Sequence, residues 1–240
     1  MTDTITQIHT ETPTAQTHTT QTLRAARAGG YEKPRIDVQA LVPAGSRRIL
    51  DMGCASGLLG DALKQEQPGR VVVGIESNPD YAREAADRLD RVLMIDLEEL
   101  SAHMEALSEL GPFDCVIAAD VLEHLRDPWR VLAYATSLLQ VGGVVVISLP
   151  NVRHWTVIRA LLWRGSWPRR PAGIFDGTHL RWFTLRDAEG LLDGANLRTT
   201  AVSRQYWEPR TLRPLARALD RTPLRSFLAY QHILVGQRTS

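Results

Sequence analysis

Ten residues, Arg48-Ile49-Leu50-Asp51-Met52-Gly53-Cys54-Ala55-Ser56-Gly57, constrain the fold of this chain more than any other stretch. An apolar run that passes through an acid into a glycine-rich turn reads as a buried strand, a tight turn and then a helix. Gly53 and Gly57 can take backbone angles closed to residues with a side chain, and the missing side chains let the backbone come close to a ligand. That geometry cradles a nucleotide-like cofactor. Glu76 strengthens the reading: it ends the next apolar run, Val71-Val72-Val73-Gly74-Ile75, about 20 residues past the turn, where open α/β folds set an acid on ribose hydroxyls. Asp96 ends a third run, Val92-Leu93-Met94-Ile95.

Helical and extended patterns alternate from Arg47 to about Leu149, which predicts βαβ units and a mostly parallel sheet. Strands are expected near 47–52, 70–75, 91–95, 113–119 and 143–149. Ser77 or Asn78 ahead of Pro79, and Asp127 ahead of Pro128, place a capping side chain before a proline that suits a first helical turn. Thr184 opens Thr-Leu-Arg-Asp, a helix start with an acid at the fourth position, and Gly194 fits the helix stop. Between them the pattern breaks. Residues 151–183 hold four of the six tryptophans, several arginines, Pro168 and Pro171, and are expected to form a small cap or lid. Leu197 to Gln205 and Ser226 to Gln237 alternate in a way that suits two further strands.

A chain of 240 residues can hold one domain with a small cap. Apolar residues at 44% and charged residues at 23% are ordinary for a soluble protein, and no apolar run approaches the roughly 20 residues needed to span a bilayer. Residues 1–22, rich in Thr, Gln and His, are neither a secretory signal nor a stable element and are expected to be a disordered tail, with the domain over 23–240. His9 and His18 in that tail read as solvated, and no metal site is expected. Cys54 and Cys115 read as buried packing residues rather than a disulfide, which suits a reducing cytoplasm. A net charge of +1 gives no general attraction to nucleic acid. From Ala201 onward, however, only Glu208 and Asp220 oppose seven arginines. Within Arg210 to Arg225, Pro214 can start a helix with Leu215 and Leu219 on one face and Arg217 and Arg221 on another. Its default is to pack the leucines and leave the arginines in water; the alternative is a peripheral contact with anionic lipid or a phosphate-bearing acceptor.

The ordered set Leu50-Asp51-x-Gly53-Cys54-x-x-Gly57, Gly74-Ile75-Glu76-x-Asn78-Pro79, Ile95-Asp96, Phe113-Asp114 and Asp120-Val121-Leu122-Glu123-His124-Leu125 resembles the class I S-adenosylmethionine (SAM) dependent methyltransferases, in particular the small-molecule group related to quinone-biosynthesis enzymes. The resemblance covers roughly residues 30 to 200. One departure is Ala55, where the family turn usually has a second glycine. The resemblance implies a doubly wound, Rossmann-like, seven-stranded and mostly parallel sheet closed by an antiparallel pair. It also implies roles: Asp51 and the turn of Gly53, Cys54, Ala55 and Gly57 on the methionine part of SAM, Glu76 with Ser77 on the ribose, Asp96 with Leu97 on the adenine, and Asp120 near the sulfonium.

Methyl transfer from a sulfonium is an in-line displacement that asks the enzyme mainly to orient the acceptor and exclude water. A base becomes useful when the acceptor is a hydroxyl of high pKa. His124, His154, Asp176 and His179 are the candidates. His124 belongs to a segment shared by relatives with different substrates, which favours a structural or cofactor-side role. His154 could face the acceptor or simply sit on a helix's first turn. Asp176-Gly177-Thr178-His179-Leu180-Arg181-Trp182-Phe183-Thr184 resembles a pattern of one branch of the family. Asp176 and His179, three residues apart, form either an acid-histidine base or a loop fixture, with Trp182 and Phe183 packed into the core and Arg181 a loop tie. Tyr31 and Arg35 precede the first strand, in a segment that relatives fold over the cofactor. The expected activity is SAM-dependent methylation of a hydroxyl oxygen on a small-molecule or glycan-like acceptor. The alternatives are N- or C-methylation, or a non-catalytic SAM-binding scaffold. The lack of an Asn/Asp-Pro-Pro-aromatic tetrapeptide after the fourth strand weighs against methylation of DNA bases or glutamine amides. The lack of Gly-x-Gly-x-x-Gly weighs against a nicotinamide dehydrogenase.

Overall fold

The computed structural model describes residues 34–206, 222 and 224–239. The expected tail, Tyr31 and the arginines at 210, 213, 217 and 221 lie outside the described residues. Strands β1 (Arg48–Met52), β2 (Val71–Ile75), β3 (Arg91–Leu93), β4 (Phe113–Ala119), β5 (Leu139–Pro150), β6 (Leu197–Gln205) and β7 (Gln231–Arg238) form one sheet in the order β3-β2-β1-β4-β5-β7-β6. The first five run parallel, and β7 lies antiparallel between β5 and β6. The chain steps outward from β1 to β3, then returns to lay β4 on the other side of β1. That reversal opens a crevice at the carboxyl ends of β1 and β4, the place where such sheets bind ligands.

Both faces of the sheet are covered, so its inner strands are nearly continuous apolar runs. Side chains alternate between faces. Ile49, Val72, Cys115 and Ile117 pack toward α2 (Leu58–Glu66) and α3 (Pro79–Ala86) through Leu59, Leu63, Ala82 and Ala85. Leu50, Met52, Val73, Val116 and Ile147 pack on the other face, against Val131 and Leu132 of α5 (Pro128–Ser137) and Leu191 and Leu192 of α7 (Leu185–Gly194). Each large side chain fully buried this way contributes roughly 1.5–3 kcal/mol. Among the described residues the remaining α-helices are α1 (Ile36–Gln39), α4 (Met104–Leu110), α6 (Trp155–Arg164) and α8 (Arg225–Leu228).

The helix starts follow their local chemistry. Asn78 accepts from the N–H groups of Asp80 and Tyr81, Asp127 accepts from that of Arg130, and Thr184 and Asp187 form a reciprocal capping box. Such caps contribute about 1 kcal/mol each. Four boundaries differ from expectation. Strand β5 begins at Leu139 rather than near 143, because Leu139 already pairs with Phe113 of β4. Helix α7 runs through Gly194, and Asn196 takes the left-handed turn at φ 58° instead. Strand β3 ends at Leu93, because Asp96 turns the chain into a 3₁₀ segment by accepting from the Glu98 N–H. Residues 226–230 are not strand. Asn151 Nδ2 donates to the carbonyls of Ser226 and Ala229 at 2.8 and 2.7 Å, which satisfies them outside any ladder, and α8 forms there.

Between β5 and α7, Val157, Ala160, Ile174 and Phe175 make a small buried cluster separate from the two sheet cores. Among the described residues no helix is long and apolar enough to cross a membrane.

Candidate active site

The turn after β1 is built from backbone. Gly53 sits at φ 70° and donates its N–H to the Ile75 carbonyl at 2.8 Å; a Cβ there would lie 2.8 Å from Val121 Cγ2. Ala55 takes φ 46°, a left-handed conformation that costs an L-residue roughly 1–2 kcal/mol. Its N–H donates to Glu76 Oε2 at 3.0 Å, while Glu76 Oε1 accepts from the Asn78 N–H at 2.8 Å. Glu76 therefore ties the turn after β1 to the turn after β2. Burial raises its carboxyl above the usual range, against the pull of those N–H groups.

These turns enclose a cavity of about 580 Å³, and Asp51, Gly53, Cys54, Ala55, Glu76, Ser77, Asp96, Leu97 and Asp120 all line it. Gly57 stands behind, capping α2, where a Cβ would press to 3.1 Å from Ala85 Cα. Asp51 is 2% exposed, and its Oδ2 has no hydrogen-bond partner. Burial, then the Glu76 charge, pushes its carboxyl up to about 7, with Arg35 opposing. A buried, orphaned acceptor of this kind suits a ligand that brings a donor or a positive charge, and the ammonium of SAM is such a group.

Asp120, at the end of β4, also has a left-handed backbone, φ 56°. Its carboxylate accepts from Arg35 Nη1, from Gln231 Nε2, and from Ser148 Oγ at 3.2 Å. Arg35 in turn grips both oxygens of Asp37 at 3.0 Å. Arg35 and Asp120 line both the first cavity and a second one of about 990 Å³, which the 151–179 segment covers together with the ends of β6 and β7.

Glu123 and His179 line the second cavity, and His124 lines the first. Glu123 is 1% exposed, and neither of its carboxylate oxygens has a hydrogen-bond partner. Burial and the neighbouring Asp120 raise its carboxyl well above the usual range. His179 Nε2 lies 3.9 Å from Glu123 Oε1. The pair is held by backbone, since the N–H groups of Leu180 and Arg181 donate to the Glu123 carbonyl at 2.8 and 3.0 Å. The His124 and His179 rings meet edge-on at 4.8 Å, and Glu123, His124 and His179 bring ligand-type atoms within 4.8 Å of one another, a set that could hold a metal ion.

Asp176 lies on neither lining. Its Oδ1 accepts from the Thr178 N–H at 2.8 Å and the Thr178 hydroxyl at 2.7 Å, and Thr178 Oγ1 is 3.0 Å from His124 Nδ1. With the hydroxyl proton given to Asp176, His124 Nδ1 must be the donor in that contact, which leaves Nε2 as the basic nitrogen. The side chain of Asp176 thus reaches His124 through Thr178, while Glu123 stands beside His179. His154 caps α6, with Nδ1 2.8 Å from Thr156 Oγ1, and lines neither cavity. Burial lowers its pKa to about 4. Arg181 donates to the Arg126 carbonyl as a loop tie. Phe183 is buried, but Trp182 is 49% exposed and packs edge-on to Trp167 at 5.6 Å.

Sequence reasoning did not single out Glu123, Ser148 or Gln231. Glu123 had a local signal, its place in Asp120-Val121-Leu122-Glu123-His124; Gln231 had none.

The sequence model of a family described as a methyltransferase domain matches residues 23–202. The chain is 31% identical over 193 residues to a ubiquinone biosynthesis O-methyltransferase of Xanthomonas axonopodis pv. citri, a match that covers 79% of this chain and 77% of that one. To a protein of the same name from Ralstonia nicotianae it is 33% identical over 116 residues, 48% of each. The chain thus spans about half the length of several curated relatives. A SAM dependent methyltransferase from Archaeoglobus fulgidus shares the fold, with a TM-score of 0.61 at 16% identity over 94% of this chain and 100% of that one. On the family match, the sheet order and the glycine-rich turn at the end of β1, the chain belongs to the class I SAM-dependent methyltransferases.

Proposed function

We propose that the protein moves the methyl group of SAM onto a hydroxyl oxygen of a small-molecule or glycan-like acceptor held in the larger cavity, with the Glu123–His179 pair taking the hydroxyl proton. One observation carries this reading: the two cavities share Arg35 and Asp120, and the segment just past Asp120 supplies His124 to one and Glu123 to the other. SAM, when bound, supplies an electrophilic methyl group on a sulfonium centre.

The chain's own residues divide the remaining work. Asp51 would hold the ammonium, and the turn of Gly53, Cys54 and Ala55, with Gly57 behind it, the rest of the methionine part. Glu76 and Ser77 would hold the ribose, and Asp96 and Leu97 the adenine. Asp120, fixed by Arg35, Ser148 and Gln231, marks the junction where the acceptor oxygen meets the methyl group. Residues 151–183 act as a cap that keeps water from the junction. His179 Nε2 lies 3.9 Å from the Glu123 carboxyl, and the deprotonated pair draws the proton from the acceptor oxygen as that oxygen attacks. His154 positions α6, and Asp176 orients His124 through Thr178. Both cysteines are free and buried, as suits a reducing cytoplasm.

The test is methyl transfer from SAM to a panel of hydroxyl acceptors, read by a mass gain of one methyl group. His179→Ala should lower kcat by about 10²-fold or more with S-adenosylhomocysteine (SAH) affinity intact. Glu123→Gln keeps the shape but removes the carboxyl beside His179, so kcat should fall by about tenfold or more with SAH affinity again intact. Full turnover in His179→Ala, or a loss matched by lost SAH affinity, would remove the base from this assignment.

A further inference from the structure

The larger cavity has a charged wall that proton transfer does not use. Arg35, Arg159, Arg164 and Arg170 line it, as do Asp37, Asp120 and Glu123. Arg35 is engaged by Asp37 and Asp120. Glu123 stands 3.9 Å from His179. Arg159, Arg164 and Arg170 stand without a carboxylate partner among the described residues.

Two of these arginines are held in place. Arg159 lies one helical turn from Trp155 on α6, with its guanidinium carbon 4.9 Å from the centre of that ring. Arg170 lies over Phe175 at 5.7 Å. Its backbone is pinned on both sides: the N–H donates to the Phe175 carbonyl and the carbonyl accepts from the Gly177 N–H, each at 2.9 Å. A guanidinium stacked on a ring keeps its in-plane donors for a ligand and loses little further freedom when it binds one. An oxyanion matches that donor fork in charge and in shape. Trp155, Phe175 and Tyr230 line the same cavity and offer it apolar surface.

We infer that the acceptor carries, besides the hydroxyl to be methylated, an oxyanionic group, a phosphate ester or a carboxylate, which Arg159 and Arg170 hold while the hydroxyl faces His179. The place of the hydroxyl rests on the methyl-transfer reading; the oxyanion site rests on the cavity alone.

The full-length protein is titrated by calorimetry with inorganic pyrophosphate and separately with benzoate, in the presence and absence of SAH. At least one of the two binds, and its affinity falls as salt is raised. Arg159→Ala combined with Arg170→Ala weakens that binding by about tenfold or more, with SAH affinity and melting temperature unchanged. Lysine at both positions keeps the charge but not the fork, and recovers only part of the loss. Tighter pyrophosphate binding assigns a phosphate ester, and tighter benzoate binding a carboxylate. Binding of neither probe, or equal binding by the wild type and both double variants, overturns the inference. Failure of the wild type to bind SAH would instead count against the methyl-transfer reading and leave the oxyanion measurement standing.

Discussion

The two cavities are built by different means. The smaller one is written into the backbone. Asp51, Glu76 and Asp96 stand at or just past the ends of successive parallel strands, and main-chain N–H groups fix the Glu76 carboxylate. The larger one is assembled from side chains that arrive from α1, α6, the loop before α7 and the ends of β6 and β7. Strand ends and their turns supply most of the first, with Arg35, Thr178 and Leu180 closing it, whereas the second is formed mainly by segments that dock from elsewhere in the chain. A substitution in the first should therefore disturb cofactor binding and leave the oxyanion wall unmoved, and that separation can be attacked directly.

The largest effect is expected at Glu76. Glu76→Ala removes the carboxylate that would meet the ribose and also frees the N–H groups of Ala55 and Asn78. Hydrogen bonds to a charged group are worth roughly 1.5–3 kcal/mol each, so SAH affinity should fall by about tenfold or more while pyrophosphate or benzoate binding holds. Calorimetry that finds SAH affinity unchanged would remove Glu76 from the cofactor site. A parallel loss of oxyanion binding would show that the two cavities are not separable.

Asp51 gives a smaller effect with a distinct signature. Its carboxyl is raised to about 7 in the ligand-free protein, and the ammonium of the ligand pairs with the carboxylate. Below that pKa the proton competes with the ligand, so SAH affinity should fall as pH drops from 8 toward 6, approaching about tenfold per unit at the acid end. 5′-Methylthioadenosine, which lacks the ammonium, should bind with no such dependence, and Asp51→Asn should flatten the SAH profile. Equal pH profiles for the two ligands would place the ammonium elsewhere.

The same contrast explains what was legible in the sequence. β1, β2 and β4 lie where the apolar runs put them, because parallel strands covered on both faces must be apolar and must stop where polar turns begin. Asn78, Asp127 and Thr184 were readable because a cap is a matter of three or four residues. The acceptor side depends on pairs such as Arg35 with Asp120, 85 residues apart, and Gln231 with Asp120, 111 apart, for which no local pattern exists. Around Asp176 and His179 the fold adds contacts that spacing does not show: Thr178 donates to Asp176 Oδ1, and the backbone docking of Leu180 and Arg181 brings His179 to within 3.9 Å of Glu123. An acid about to be buried is indistinguishable in sequence from one at a helix edge.

The smallest effect isolates the backbone character of the cofactor site at Ala55. A left-handed φ of 46° costs alanine roughly 1–2 kcal/mol, and glycine would adopt it freely. Glycine also gives the unfolded chain more freedom, which offsets about 0.4–1 kcal/mol of that gain. The balance favours Ala55→Gly by about 0.5 kcal/mol, a rise in melting temperature of about 1–2 °C for a domain of this size. The N–H that Ala55 donates to Glu76 Oε2 survives the change, so SAH affinity should stay within about twofold. Scanning calorimetry decides the matter. A fall in melting temperature would mean that Ala55 makes up its conformational cost through packing, and that side chains as well as backbone shape this turn.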